Sequence, residues 1–178
     1  MKRPQPINSN SFRLTVFGLL SLCCGSQLFG QERLNLATGV GFPEAFNVGV
    51  RYQLEQSQIG IGVGYQPFLE GNTFSVSGDF FYHLDGSSQL SERRPWYART
   101  GLSYIREETT SRIDKSLVIG SRMGREMNLT RKFGVQADVG ALYIIYHDRK
   151  RKEPSDGWDI SLLLPVWPSL GVGLFYRL

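Results

Sequence analysis

The sequence predicts an all-β chain: an eight-stranded antiparallel up-and-down barrel that spans a membrane, preceded by a cleaved signal peptide. Three observations carry that prediction. Eight segments alternate residue by residue between apolar and small or polar side chains, a period of two that marks strands rather than helices. One side of each segment is almost continuously apolar, while the other is built from glycine, serine, amides and charges of both signs. Aromatic residues make up 12% of the chain and glycines number 20, yet only 41% of residues are hydrophobic. That dilution is expected of strands that face lipid on one side only.

The first 30 residues read as a secretory leader. Lys2, Arg3 and Arg13 supply a basic start, Leu14 to Cys24 a short apolar core, and Gly25, Ser26 and Gln27 a small, polar exit. A largely apolar run of eleven residues is too short for a spanning helix, which takes about 20. Cleavage is expected after Gly30, so that residues 31–178 form one barrel domain beginning at Gln31. Both cysteines, Cys23 and Cys24, fall inside the leader. The bulky Leu22 before Cys23 speaks against lipidation there, and the domain itself then holds no disulfide and no thiolate metal site. Removing the leader also takes three of the 20 basic residues and none of the 16 acidic ones, so the net charge falls from +4 to +1. A nucleic-acid partner loses its main support with that change.

The segments follow in order. The first sets Leu34, Leu36, Thr38, Val40 and Phe42 against Asn35, Ala37, Gly39 and Gly41. The second sets Phe46, Val48, Val50, Tyr52 and Leu54 against Asn47, Gly49, Arg51 and Gln53. The third opposes Ile59, Ile61, Val63 and Tyr65 to Gly60, Gly62, Gly64 and Gln66. The fourth opposes Phe74, Val76, Phe80, Tyr82 and Leu84 to Ser75, Ser77, Asp79 and His83, with Gly78 interrupting the apolar face and Phe81 the polar one.

The fifth places Trp96, Ala98, Thr100, Leu102 and Tyr104 against Tyr97, Arg99, Gly101 and Ser103. The sixth is weaker: Leu117, Ile119, Met123 and Met127 against Gly120, Arg122, Gly124 and Glu126, with Ser121 and Arg125 on the apolar side. The seventh opposes Phe133, Val135, Ala137, Val139, Ala141 and Tyr143 to Gly134, Gln136, Asp138 and Gly140. The eighth, Leu170 to Leu178, opposes Leu170, Val172, Leu174, Tyr176 and Leu178 to Gly171, Gly173, Phe175 and Arg177. An even number of strands brings both chain ends to one side of the membrane. Outer connections are then expected at Pro43–Ala45, Pro67–Asn72, Glu107–Asp114 and His147–Pro168, and periplasmic ones at Glu55–Gln58, Asp85–Pro95 and Leu129–Lys132. Two of these fit poorly: the first outer loop is very short, and the Asp85–Pro95 turn is long.

Alternation alone does not say which face is inside, since a lipocalin-like soluble barrel binding an apolar ligand puts the apolar face inward. The glycine-rich, mixed-charge face and the aromatics near strand ends (Phe42, Phe46, Tyr65, Phe74, Trp96, Tyr104, Phe133, Tyr143, Tyr176) favour lipid outside and a wet lumen inside. The closing Gly173-x-x-Tyr176-x-Leu178 then resembles the C-terminal signal of outer-membrane barrels, read by their insertion machinery. Trp96-Tyr97-Ala98-Arg99-Thr100-Gly101-Leu102 and Asn128-Leu129-Thr130-Arg131-Lys132-Phe133-Gly134-Val135 are similar to stretches of the small OmpA/OmpX/opacity-type barrels and related bacteroidete barrel domains. The resemblance spans residues 31–178 and implies a Gram-negative outer-membrane barrel. It implies no particular activity, because that family puts one scaffold to several uses.

Candidate chemistry is sparse. Arg51, Asp79, Arg99, Arg122, Glu126, Asp138 and Arg177 face the expected lumen, where they form either a charge-paired plug or a solute path. Eight strands leave little bore, and buried charges need partners, so a plug is expected. Arg149, Lys150, Arg151 and Lys152 form a basic patch in the long outer connection, suited to the phosphates of lipopolysaccharide or an acidic surface. The stretch Asp159–Pro168 is expected to extend the last strand beyond the membrane, with Trp158 and Trp167 packing on the rim. A lipid-modifying enzyme would need a serine–histidine–acid set. His83 has Asp85, Ser87 and Ser88 nearby at the periplasmic end, and His147 has Asp148 but no serine close in sequence. No catalytic residue, metal ligand or cofactor is therefore assigned. The expectation is a monomeric structural or surface-interaction protein whose partners are membrane lipids and lipopolysaccharide.

Overall fold

The computed structural model describes residues 33–66, 71–151 and 166–178. These form strands β1 (Leu34–Phe42), β2 (Ala45–Leu54), β3 (Ser57–Gln66), β4 (Asn72–Asp85), β5 (Trp96–Glu108), β6 (Arg112–Asn128), β7 (Phe133–Arg151) and β8 (Val166–Arg177). Each strand pairs antiparallel with the next, and β8 closes on β1 to complete a barrel. The rung that leaves β1 at Asn35 passes through Arg51, Gly60, Asp79, Gly101, Gly120, Leu142 and Trp167. Extended by the β1–β8 register, it returns to the chain ten residues further on, at position 45. Eight strands with that stagger tilt by about 40° from the barrel axis.

The apolar side chains point outward. Val48, Ile61, Val76, Val139 and Val172, which a soluble barrel would gather in a dry centre, are 43–72% exposed on the outer wall. Polar groups on that wall find local partners. Thr38 Oγ1 donates to the Asn47 carbonyl at 3.0 Å, and Thr100 Oγ1 to that of Gly120 at 3.2 Å. The Arg125 guanidinium lies 5.4 Å from the Trp96 ring centroid.

Aromatic residues ring both ends of the apolar band. Tyr52, Tyr82, Trp96, Phe133 and Tyr176 lie toward the lower rim, where β1 begins and β8 ends. Phe42, Phe46, Tyr65, Phe74, Tyr104 and Tyr143 lie toward the upper rim. Along β5, the eight steps from Trp96 to Tyr104 span about 26 Å at ~3.3 Å each. Tilted by about 40°, that is roughly 20 Å of axial height.

Inside, the barrel has a thin half and a bulky half. Glycines line the inner faces of β1, β2, β3 and β8, with Gly39 opposite Gly173, Gly41 opposite Gly171 and Gly49 opposite Gly62. A Cβ on Gly39 would stand 2.7 Å from the Val172 carbonyl oxygen, so these walls admit no larger residue without shifting. Long side chains from β4–β7 fill the space this leaves. Phe81, the expected interruption of a polar face, is buried in the lumen, its ring 5.6 Å from that of Tyr97.

The strands run further than the alternation indicated. The expected outer loop Glu107–Asp114 shrinks to Thr109–Ser111, a turn closed by Thr109 N–H donating to the Arg112 carbonyl at 2.9 Å. The expected connection His147–Pro168 begins only after Arg151, because β7 continues for 19 residues. It ends before Val166, so Trp167 and Pro168 belong to β8, while Trp158 and the rest of 152–165 lie outside the described residues. The cause is local: apart from Ile113, Arg112–Ser116 and His147–Arg151 are polar on both faces, which erases the period-two signal without removing the hydrogen-bond ladder between them. The leader and most of Pro67–Asn72 also lie outside the described residues.

Candidate functional site

Among the described residues, the lumen gathers charges from distant segments into two clusters. Its upper cluster draws on four strands and one turn. Arg99 of β5 donates through Nε to Asp79 Oδ1 of β4 at 2.8 Å. Arg122 of β6 donates through Nη1 to Asp138 Oδ1 of β7 at 3.2 Å. Between them sits Glu44, from the two-residue turn joining β1 and β2. Its Oε1 accepts from Arg99 at 3.0 Å and its Oε2 from Arg122 at 2.6 Å. Tyr97 Oη donates to Asp138 Oδ2 at 2.9 Å, and Ser77 Oγ to Asp79 Oδ2 at 3.0 Å. These carboxylates and guanidiniums are 3–13% exposed, and every charge has an opposite charge in contact.

The lower cluster turns on Glu126 of β6. Its Oε2 accepts from Arg93 Nη2 at 2.6 Å and Nε at 3.0 Å, with Arg177 Nη2 at 3.6 Å. Arg177 also donates to Asn128 Oδ1 at 2.6 Å, and Arg93 to Gln53 Oε1 at 2.6 Å. Arg93 belongs to the long connection between β4 and β5. That segment is held over the lower mouth by Gln56, which accepts from the Arg94 amide at 3.2 Å and donates to the Glu92 carbonyl at 3.4 Å. The Glu126 amide adds a bond to the Pro95 carbonyl at 2.8 Å.

Of the seven expected lumen charges, the fold joins Asp79, Arg99, Arg122 and Asp138 above, and Glu126 with Arg177 below. Arg51 stands between the groups. It donates to Gln136 Oε1 at 2.6 Å and lies 4.2 Å from the Phe81 ring centroid, with no carboxylate partner among the described residues. The sequence reading missed Glu44 and Arg93, because both come from connections, where alternation says nothing about direction. The signal lay in the two misfits. A loop too short to project and a turn too long to be simple each fold one charged residue inward.

Between the glycine wall and the upper cluster lies a polar cavity lined by Gly62, Gly64, Ser75, Ser77, Glu44 and Arg99, among others, with about 40 Å³ open to water centres. That admits a few waters, each needing about 10–15 Å³ on this measure, and nothing the size of a sugar.

The remaining expectations meet a mixed outcome. Arg149 and Lys150 are not in a free loop. They sit on β7, opposite Asp114 and Ile113, and Arg149 Nε donates to Asp114 Oδ1 at 3.1 Å. Arg151 pairs with Arg112 in the ladder, and Lys152 lies outside the described residues. His147 does have a close serine: Ser116, across the strand pair, lies 2.9 Å from its Nδ1. Its Nε2 is buried with no partner among the described residues, so no acid completes a triad. His83 Nδ1 donates to the Arg94 carbonyl at 2.7 Å, and Ser88 takes up Asn128 instead. Gly173 packs on the Thr38 carbonyl, Tyr176 lies outward beside Phe133 and Leu36, and the Leu178 amide donates to the Leu34 carbonyl at 2.9 Å.

No family model matches the chain, and no curated protein matches its sequence. Its fold is similar to the solved structure of Neisserial surface protein A (NspA), at 12% identity over 82% of this chain and 94% of that one, with a TM-score of 0.44. It is similar also to the N-terminal β-barrel domain of Pseudomonas aeruginosa OprF, at 14% identity over 82% and 95%, with a TM-score of 0.45.

Proposed function

We propose that this chain is an integral outer-membrane barrel with a structural or surface-interaction role and a lumen closed to solutes. One observation carries the reading: the large apolar side chains stand on the outside of a closed sheet, while the inside is glycine, polar groups and paired charge. Water would have to cover that outer band in a soluble protein. In a bilayer acyl chains cover it, and closure leaves no strand edge with unpaired backbone groups, each of which would cost several kcal/mol in lipid.

The lumen supports closure rather than conduction. Glu44 reaches in from above and Arg93 from below, and the layer of Phe81, Tyr97 and Phe175 is buried between them. Among the described residues, neither histidine has both the serine and the acid that acyl hydrolysis needs, which favours a non-enzymatic role. In this reading residues 1–30 direct secretion, the terminal Gly173, Tyr176 and Leu178 engage the insertion machinery, and the barrel works as a monomer among outer-membrane lipids and lipopolysaccharide.

Expression in a Gram-negative host tests the proposal. The chain should fractionate with outer membranes and run faster on a gel unheated than boiled, and in planar bilayers it should give no steady single-channel current. Recovery in the soluble fraction without detergent would overturn the membrane assignment. A large, stable current would overturn the closed lumen alone.

A further inference from the structure

The walls above the upper aromatic ring are uneven. β1 and β2 stop near that ring, whereas β5, β6 and β7 continue beyond it. On the outward face of this raised wall, one rung joins Tyr104, Leu117 and Tyr146, and the next joins Arg106, Lys115 and Asp148. Arg106 and Lys115 are thus direct cross-strand neighbours of like charge, an arrangement that is destabilising on its own. One rung further, Lys150 faces the same way, opposite Ile113.

Two carboxylates share this surface. Glu108 pairs with Arg106 at 2.9 Å, and Asp148 lies opposite Lys115 in the ladder. Neither Lys115 nor Lys150 forms an ion pair with a described residue. Among the described residues, three cations on three adjacent strands therefore meet two anions, and the surplus sits immediately above the aromatic band, where lipid phosphates lie.

Resting on the outer-membrane reading above, we infer that Arg106, Lys115 and Lys150 form an outward-facing site for the phosphate of a phosphorylated glycolipid in the outer leaflet, whose acyl chains run down the wall past Tyr104, Leu117 and Ile119. A phosphate bridging Arg106 and Lys115 removes their repulsion, because its oxygens accept from a guanidinium and an ammonium together. The apolar stripe beneath fixes the ligand as a lipid rather than a free anion.

The test uses the full chain, folded in detergent, with diphosphorylated lipid A as the probe and bound lipid counted by native mass spectrometry. The Arg106→Gln, Lys115→Gln double variant should bind on the order of tenfold more weakly, since each basic residue contributes a comparable share of the attraction. Fully dephosphorylated lipid A should bind both proteins equally. Arg125→Gln, which removes the outward cation at the lower ring, should bind like the unaltered chain. Both variants lie on the exposed wall, and retained heat-modifiable mobility shows that they fold. Equal binding of diphosphorylated lipid by the double variant would overturn the site. So would displacement by millimolar inorganic phosphate, which would show a simple anion site. A chain that does not embed in bilayers at all would instead sink the outer-membrane reading, an outcome fractionation detects separately.

Discussion

Glu44 is the residue on which the upper lumen depends. It stands between two arginines whose other partners, Asp79 and Asp138, are themselves shared with Ser77 and Tyr97. Removing one member of a buried charge set is worse than never having built it, because the remaining charges keep their desolvation and lose their partner. Glu44→Ala should therefore lower the unfolding free energy by about 3–5 kcal/mol, read from urea titration of the barrel refolded in detergent. Glu108→Ala, which breaks an exposed ion pair with Arg106, should cost about 0–1 kcal/mol in the same assay. Equal losses would mean that Glu44 is not held as the geometry shows. The seven strand-borne charges of the lumen were readable from sequence, since side-chain direction follows from position in an alternating strand. Glu44 and Arg93 were not, because a turn residue's direction depends on φ and ψ rather than on parity.

At the scale of the strand, the glycines differ in what they permit, and the difference is testable. Gly140 on β7 points inward against the Ser121 carbonyl and the Arg122 backbone, so a methyl group there must push two strands apart. Gly78 on β4 points outward, and a Cβ would meet nothing within 4 Å. Gly140→Ala should destabilise by about 1–3 kcal/mol through forced backbone shifts. Gly78→Ala should fall within about 0.5 kcal/mol of the unaltered chain. Comparable stability of the two variants in urea would contradict the close packing around Gly140. The same element scale shows why β6 and β7 were underestimated. Within the apolar band, one face is apolar and the other not, and that contrast writes the strand into the sequence. Above it, Asp114 faces Arg149 and Ser116 faces His147 on one side, while Lys115 faces Asp148 on the other. Apart from Ile113, both faces are polar, and only the backbone ladder distinguishes this stretch from a loop.

For the molecule as a whole, the two inward-folded connections support the proposed reading of a lumen closed at both ends rather than a pore. On that reading the buried rings of Phe81, Tyr97 and Phe175 divide it, so opening the upper closure should expose the upper cavity without creating a path through. The only native cysteines are Cys23 and Cys24, which the expected cleavage removes, leaving single introduced thiols as clean reporters. Ser77→Cys places a thiol in the cavity under Glu44, and Gln58→Cys places one beside Gln53, which holds Arg93 of the lower cluster. In intact cells, a small, charged, membrane-impermeant thiosulfonate reagent should modify the cavity thiol slowly. Adding Glu44→Ala should speed that reaction on the order of tenfold, because the unpaired arginines then draw water into the space the carboxylate filled. The lower thiol should remain unmodified in either background. Fast modification at position 77 with Glu44 intact would mean that the short turn does not close the lumen. Modification at position 58 from the same side would mean that the aromatic layer does not divide it.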